Sequence, residues 1–510
     1  MKRKAKFIYN GLLLSAVGLA MRGTQLIFGA YVARTLGADG VGLNTLVMMV
    51  YSFALTLATA GISLTVTRLV ASMMGEGRSN EVGRVVNGAI LYASVFGLLS
   101  TALLILLSGI IGRHIIGDNV SVMALRILSL SLLPSALSSV IYGYFVAKRR
   151  VTLNAMTQVL CQLLRIGLTV FLLNRSEQSP IAMLALGVTV SEVVTLLVML
   201  PSFVFEGKTF GKARGTLISD VSKMALPLGI SAYLRSLLLT LEHNLIPKSL
   251  VRHGENTTKA LSSYGYLHGM ALPLILYPMT PLTSFSGLLV PEFAEEKGRE
   301  HREKMASIAT RALNLTLTYA VCCSVLILSF SRELGYAVYA SGEAGKYIAM
   351  LSPVVPIMYL DHVADAILKG IGEHVYSMWV NILDALLSIV LVLTLIPLMG
   401  ISGYAVVIVL MEVFNFTLSA IRLRKRICFQ IHLFSSVTLP ALLMTIFALL
   451  SKTLLDLSGM NATLSLCLRI VFAILLYVGT RVAFFLVFSR IRSHKSSASF
   501  RKLHTKKLGN

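Results

Sequence analysis

Charge is scarce in this sequence. Asp, Glu, Lys and Arg make up 14% of its 510 residues, against 55% hydrophobic, where soluble domains carry about 25% charged residues. That shortage excludes an ordinary water-soluble chain, because the apolar excess must face something other than water. Lipid is the economical answer, since a spanning helix satisfies its backbone hydrogen bonds within itself. Acidic residues are the rarer half, 23 against 46 basic, and the formal charge is +23. The basic residues fall in short tracts between apolar runs rather than on a polar domain. Such tracts orient a multi-span protein and exclude a nucleic-acid reader. The five cysteines contain no Cys-x-x-Cys. Cys161, Cys322, Cys323 and Cys467 lie in apolar runs and read as small buried hydrophobes, with Cys428 in a basic loop. Also missing are Gly-x-x-x-x-Gly-Lys-Ser/Thr, His-Glu-x-x-His and Asp-x-Asp, and the ten histidines show no metal-ligand spacing. An ATP motor, a zinc hydrolase and a soluble catalytic domain are therefore not expected.

What is present is a succession of apolar segments. They fall at 10–34, 42–70, 85–111, 120–147, 151–174, 180–205, 221–247, 263–291, 305–330, 346–369, 375–398, 401–421, 432–455 and 463–489. A crossing needs about 20 residues, so the expected fold is an all-α integral membrane protein of about 14 transmembrane helices. Lys2-Arg3-Lys4-Ala5-Lys6 imitates the start of a signal peptide, but the run after it is too long and contains Arg22. It reads as a retained first helix. Loop charge supports an even count. Basic tracts at the N-terminus, at Lys148-Arg149-Arg150, at Lys208, Lys212 and Arg214, at Arg422 to Arg426 and in the C-terminal tail all fall on one side. The positive-inside rule places both termini in the cytoplasm of a multi-pass cell-membrane protein.

Two halves share features in order. Gly75-Glu76-Gly77-Arg78 matches Glu296-Lys297-Gly298-Arg299, Pro134 matches Pro356, and Glu192 matches Glu412, at offsets of 220 to 222 residues. Arg22 and Arg235 are further counterparts, offset by 213. The expected architecture is two parallel six-helix repeats around a central cavity, plus two C-terminal helices. The lobes would occupy 1–205 and 221–426, joined by a cytoplasmic linker at 206–220. Two extra helices follow at 427–489, then a basic cytoplasmic tail at 490–510.

Ionisable residues inside spans are costly, about 2.5–3.5 kcal/mol each on insertion scales. Arg22 lies about twelve residues from either end of its span, roughly 18 Å of helix, too deep to snorkel. Arg235 is equally central. Paired central guanidiniums suit an anionic headgroup, which they grip bidentately; the alternative is structural pairing with Glu192 or Glu242. Arg165, mid-span in the fifth segment, is open to either reading, and Arg68 is shallow enough to snorkel. Asp361, Asp365, Asn381, Asp384 and Glu412 crowd segments ten to twelve. They suit a Na⁺ or proton site, or else helix–helix hydrogen bonds and pairing with Lys369 or His362. Pro273, Pro278, Pro281 and Pro291 should bend segment eight, and Gly61 segment two.

The stretch Ala33-Arg34-Thr35-Leu36-Gly37-Ala38-Asp39-Gly40-Val41-Gly42-Leu43, with Ala58-Thr59-Ala60-Gly61-Ile62-Ser63 and Thr67-Arg68-Leu69-Val70-Ala71, carries a family likeness. It resembles the stage V sporulation protein B group of the multidrug/oligosaccharidyl-lipid/polysaccharide flippase superfamily, which also holds the lipid II flippases. The resemblance implies alternating access. The implied substrate is an undecaprenyl-pyrophosphate-linked sugar, moved from the inner to the outer leaflet. Arg22 and Arg235 match the cavity arginines of the first and seventh helices of lipid II flippases, with Arg165 and Glu242 as further substrate-binding candidates. Asn381 and Asp384 look like the sodium ligands of some members, Glu242 is a candidate for their acidic partner, and Asp361 and Glu412 join them as coupling-ion candidates. Where lipid II flippases carry arginines in the second helix, this chain has Leu55 and Thr56. The extra pair of helices would flank a groove for the lipid tail. The expected partners are a lipid-linked anionic saccharide and membrane lipids, with no cofactor beyond a possible Na⁺ or H⁺, no nucleic acid, and the chain a monomer. Two rival functions remain at this stage, a cation-coupled multidrug exporter of the same superfamily and a membrane-embedded sugar-transfer enzyme.

Overall fold

The computed structural model describes residues 2–59, 61–78, 81–148, 150–175, 179–207, 217–455 and 460–507. Residues 208–216 of the expected linker and 508–510 of the expected tail lie outside them. Among the described residues every regular element is helical. In chain order the helices are α1 (Lys2–Thr59), α2 (Ile62–Gly75), α3 (Val82–Ile110), α4 (Asn119–Ser129), α5 (Leu132–Ala147), α6 (Val151–Arg175), α7 (Pro180–Gly207), α8 (Ile218–Arg252), α9 (Thr257–Tyr264), α10 (Leu272–Leu276), α11 (Thr280–Gly298), α12 (Arg302–Ser329), α13 (Ser331–Tyr339), α14 (Gly342–Leu351), α15 (Val355–Gly370), α16 (His374–Met399), α17 (Ile401–Arg426), α18 (Leu439–Leu454) and α19 (Ala462–Lys507).

Among the described residues, twelve helical runs are long and apolar enough to cross a membrane, and thirteen if the bent pair within α8 is counted as one span. The sequence segments at 10–34 and 42–70 lie on either side of Gly37, where two helices meet across a kink. They share one run, Ala20–Gly75, of 56 residues, far longer than one crossing requires. Gly37 interrupts α1 at φ 73°, ψ 177°, a backbone region open to glycine. Gly61 at φ 78° ends the next stretch, and a Cβ there would run 2.5 Å from the Ala225 carbonyl. α8 bends by 41° between Pro227 and Gly229. In segment eight, expected to bend at four prolines, the helix changes type at three of them, while Pro291 lies inside α11. Pro273, Pro278 and Pro281 open α10, a 3₁₀ turn and α11 in succession, after a π-helical turn at Gly265–Ala271. Side-chain caps start the shorter helices: Asp118 accepts from Ser121 N, Asn256 from Lys259 N and Ser341 from Ala344 N.

Apolar side chains point outward throughout. Leu106 is 75% exposed, Phe205 76% and Leu398 75%. Water would not tolerate so continuous an apolar surface, and lipid does. The chain is a multi-pass membrane protein.

The chain divides into two compact units. One comprises 1–305 with 361–428, the other 306–360 with 429–510, so α12 and α15 pass from one to the other. In the first unit, α2 and α5 approach closely because Gly143 leaves room for the Ser63 backbone, and Thr67 Oγ1 donates to the Gly143 carbonyl at 3.0 Å. Gly42 and Gly265 let α1 and the α9 end meet backbone to backbone. In the second unit, Cys322, Leu326 and Phe330 of α12 pack with Met444, Ala448, Leu466, Ala473 and Tyr477 of α18 and α19. Lys452 is satisfied there by Glu333 at 2.7 Å and the Ser329 carbonyl. Of the five cysteines, Cys322 is buried, Cys161 and Cys323 half-buried, and Cys428 and Cys467 exposed, all free. Cys467 therefore departs from the buried position expected of it, its stretch of α19 being an outward face.

Candidate functional site

Two cavities open within the first unit, and the α1 sequence Leu55-Thr56 contributes one residue to each. The first, of about 400 Å³, is lined by Leu55, Gln162, Arg165 and Glu192 among others. Its polar groups are partly engaged, with Ser138 Oγ and Gln162 Oε1 buried without a hydrogen-bond partner among the described residues. Ser135 Oγ donates to Glu192 Oε2 at 3.0 Å. Gln162 Nε2 donates to the Met21 carbonyl at 2.7 Å and to Thr24 Oγ1 at 2.6 Å, tying α6 to α1. Arg165 and Glu192 share this space as cation and anion without a direct ion pair among the described residues.

The second cavity, of about 360 Å³, is lined by Thr56, Arg235, Lys369, His374 and Asn381 among others. It has no carboxylate in its wall. Lys369 is paired through Asp365 at 2.5 Å, one turn back on α15. Arg235 is exposed to the cavity, and no carboxylate ion-pairs with it among the described residues. Asp384 lies within electrostatic reach of it, short of contact. A guanidinium without an ion pair in a recess at mid-span has the chemistry to accept an anion.

The other candidates distribute as follows. Arg22 is exposed and donates from Nη1 to Thr280 Oγ1 at 3.3 Å. It too lacks an ion-pair partner among the described residues. It lines neither cavity, although Met21 beside it lines the first. Glu242 is buried where α8 meets α16 and accepts from Ser388 Oγ at 2.5 Å. It is thus engaged in a helix contact outside the Arg235 cavity. Asp361 accepts from Ser419 Oγ at 3.1 Å. Asp361, Asp384 and Glu412 stand within electrostatic reach of one another, as do Asp384 and Glu242, so α8, α15, α16 and α17 converge on a string of carboxyls. Asp384 Oδ1 is buried without a hydrogen-bond partner.

These residues can be tested against a coupling cation. Asn381 donates from Nδ2 to the Ser377 carbonyl at 2.7 Å and faces the cavity of Arg235 and Lys369, a cationic setting that repels Na⁺. Asp384, one turn along, has the free oxygen. No group of three or more His, Cys, Asp or Glu could hold a metal ion among the described residues. Asp384 Oδ1 thus keeps an oxygen without a hydrogen-bond partner beside neighbouring carboxyls, whereas Asn381 faces cations.

Sequence reasoning did not single out Lys369 and His374 as cavity residues, or Gln162 as the tie between α6 and α1. Lys369 was visible only as a partner for the carboxylates of segments ten to twelve, and it pairs with one of them, Asp365. His374 begins α16 at a span boundary, where hydropathy carries no signal.

Comparisons with known proteins follow this geometry. The profile described as polysaccharide biosynthesis protein matches residues 7–296, and that described as MatE matches residues 257–394. Stage V sporulation protein B of Bacillus subtilis (strain 168) is 26% identical over 425 residues, covering 80% of this chain and 81% of that protein. Among solved structures, lipid II flippase MurJ in an inward closed conformation aligns with TM-score 0.70 at 14% identity, over 94% of this chain and 99% of that one. An outward-facing multidrug resistance MATE family transporter of the MOP superfamily aligns with TM-score 0.62 at 15% identity, over 82% and 94%. With the first profile spanning more than half of its length, the chain belongs to the polysaccharide biosynthesis protein family.

Proposed function

We propose that this protein is a flippase. Its substrate would be an undecaprenyl-pyrophosphate-linked cell-wall precursor, peptidoglycan lipid II or a polysaccharide repeat unit, carried across the cytoplasmic membrane by alternating access. The observation that carries the reading is the Arg235 cavity, whose wall holds cations and no carboxylate. A pyrophosphate entering it would exchange water for a bidentate guanidinium contact, strengthened by Lys369 and His374. Arg22, exposed and without an ion pair among the described residues, supplies a second guanidinium for the same chemistry. Support also comes from the relative named stage V sporulation protein B and from the likeness of fold to a lipid II flippase.

In this reading the chain moves its cargo without making or breaking a covalent bond. The lobes at 1–205 and 221–426 rock about the cavity region, and both termini lie in the cytoplasm. Coupling to Na⁺ or H⁺ runs through Asp384, Asp361 and Glu412, with Asn381 as the alternative oxygen. The second reading, a cation-coupled multidrug exporter, is favoured only by the first cavity, where Glu192 offers an organic cation a counter-charge.

Reconstitution in vesicles decides between them. Labelled lipid-linked sugar should change leaflet with wild-type protein, and Arg235→Ala should stop it while remaining inserted. Full transport by both Arg22→Ala and Arg235→Ala would remove the anion-cavity reading. Export of an organic cation dependent on Glu192 would favour the rival.

A further inference from the structure

A third cavity, of about 570 Å³, shares no lining residue with the other two. It lies at the ends of candidate membrane spans. Its walls come from the ends of three candidate spans, Thr257–Gly298, Arg302–Ser329 and Ile401–Arg426, and from the turn at 371–373 between two more. Its charged lining is Lys297, Arg302, Lys425 and Arg426 against Glu300 and Glu373.

The charges are not mutually cancelled. Glu373 accepts from Arg422 Nη2 at 2.7 Å and Nε at 3.1 Å, and from Arg426 Nε at 2.7 Å. The Arg422 guanidinium, with Arg426 beside it, holds that carboxyl below its ordinary range. Its charge is thus committed to two arginines. Lys297 is aimed by its donation to the Ile371 carbonyl at 2.6 Å, which fixes the ammonium but leaves its charge unbalanced. Arg302 and Lys425 have no ion-pair partner among the described residues. Three cations thus border a recess at the ends of candidate spans, and the ends of spans are where lipid phosphates are met. A fork-shaped guanidinium and ammonium donors are the set that phosphate selects. Basic pockets at span ends are suited to anionic head groups.

We propose that this recess binds a phosphate-bearing anion at the membrane surface, either the head group of an anionic phospholipid or a soluble phosphate, as a site separate from the cavity of the transported cargo. The Lys297 ammonium and the Arg302 guanidinium engage the phosphate oxygens, Lys425 adds long-range attraction, and Glu300 opposes binding.

The test uses the full-length purified chain in detergent, titrated with dihexanoyl phosphatidylglycerol, dihexanoyl phosphatidylcholine and inorganic phosphate. Saturable binding of phosphatidylglycerol is expected, weakened about tenfold by Arg302→Gln. Glu300→Gln should tighten it about threefold, a gain that misfolding cannot imitate. Arg235→Ala should leave it unchanged, which separates this site from the flippase reading. Saturation by inorganic phosphate, with the same order of variants, would assign the soluble source. Equal binding of phosphatidylcholine, indifference to both substitutions, or no saturable binding of any probe would overturn the proposal.

Discussion

The two intramembrane cavities of the first unit differ more in charge than in size. One holds Arg165 opposite Glu192, with hydroxyls and amides closing hydrogen bonds around them. The other holds Arg235, Lys369 and His374, with the balancing carboxylates set outside its wall. Volumes of about 400 and 360 Å³ would not distinguish them. The contrast teaches that a mid-span arginine is not a site by itself. What matters is whether its counter-charge stands in the same space. Where it does, the arginine is structural and a ligand must compete with it; where it does not, the field is left for an anion.

The largest expected effect tests that contrast directly. Arg235→Ala should lower transport of a pyrophosphate-linked lipid about a hundredfold, the loss of strong charge-assisted hydrogen bonds. Arg165→Ala should cost less than about tenfold, because Glu192 already occupies much of its attraction. Equal losses in vesicle transport assays would erase the distinction. Adjacent α1 residues offer a sharper probe. Thr56→Glu places a carboxylate in the cationic cavity and should cost about thirtyfold in transport, while Leu55→Glu faces the other cavity and should cost less. A reversal of that order, in protein inserted to the same level, would show that the cavities have been assigned the wrong roles.

Smaller effects concern the carboxyls themselves. Ser388→Ala leaves the buried Glu242 without its donor and should cost about 1 kcal/mol of stability, read as a fall in Tm. Ser135→Ala should cost less, since Glu192 is only half-buried. The smallest expected effect lies outside both cavities. The Glu373 carboxyl is held below its ordinary value of 4.5, chiefly by Arg422. Its stabilising contribution is therefore present above the unfolded carboxyl range and is lost as pH falls through the depressed folded value. Arg422→Gln should flatten that acid limb of the Tm profile; an unchanged limb would place the acid sensitivity elsewhere.

Much of this was legible in the residue order. The run of apolar segments, the break at Gly61 and the proline bends of α10 and α11 all follow from local chemistry. Arg22, Arg165 and Arg235 stood out because their depth forbids snorkelling. The azimuth of each arginine was not legible. Arg22 and Arg235 were read as a pair, yet Arg22 donates to Thr280 and does not line the cavity that Arg235 shares with Asn381 and Lys369. Glu242 was a candidate ligand and is instead engaged by Ser388 between two helices.

The residue order alone determined the solvent and the element type, because a scarcity of charge over 510 residues leaves lipid as the surroundings and the helix as the backbone's way of satisfying itself there. Only the tertiary structure decided which charges share a space. Hydropathy reports how deep a side chain lies along its helix, not which way it turns. That rotation is set where backbones touch, at Gly42 against Leu261, Gly61 against Ala225 and Gly143 against Ser63. Those contacts join residues far apart in the chain, and no local pattern encodes them.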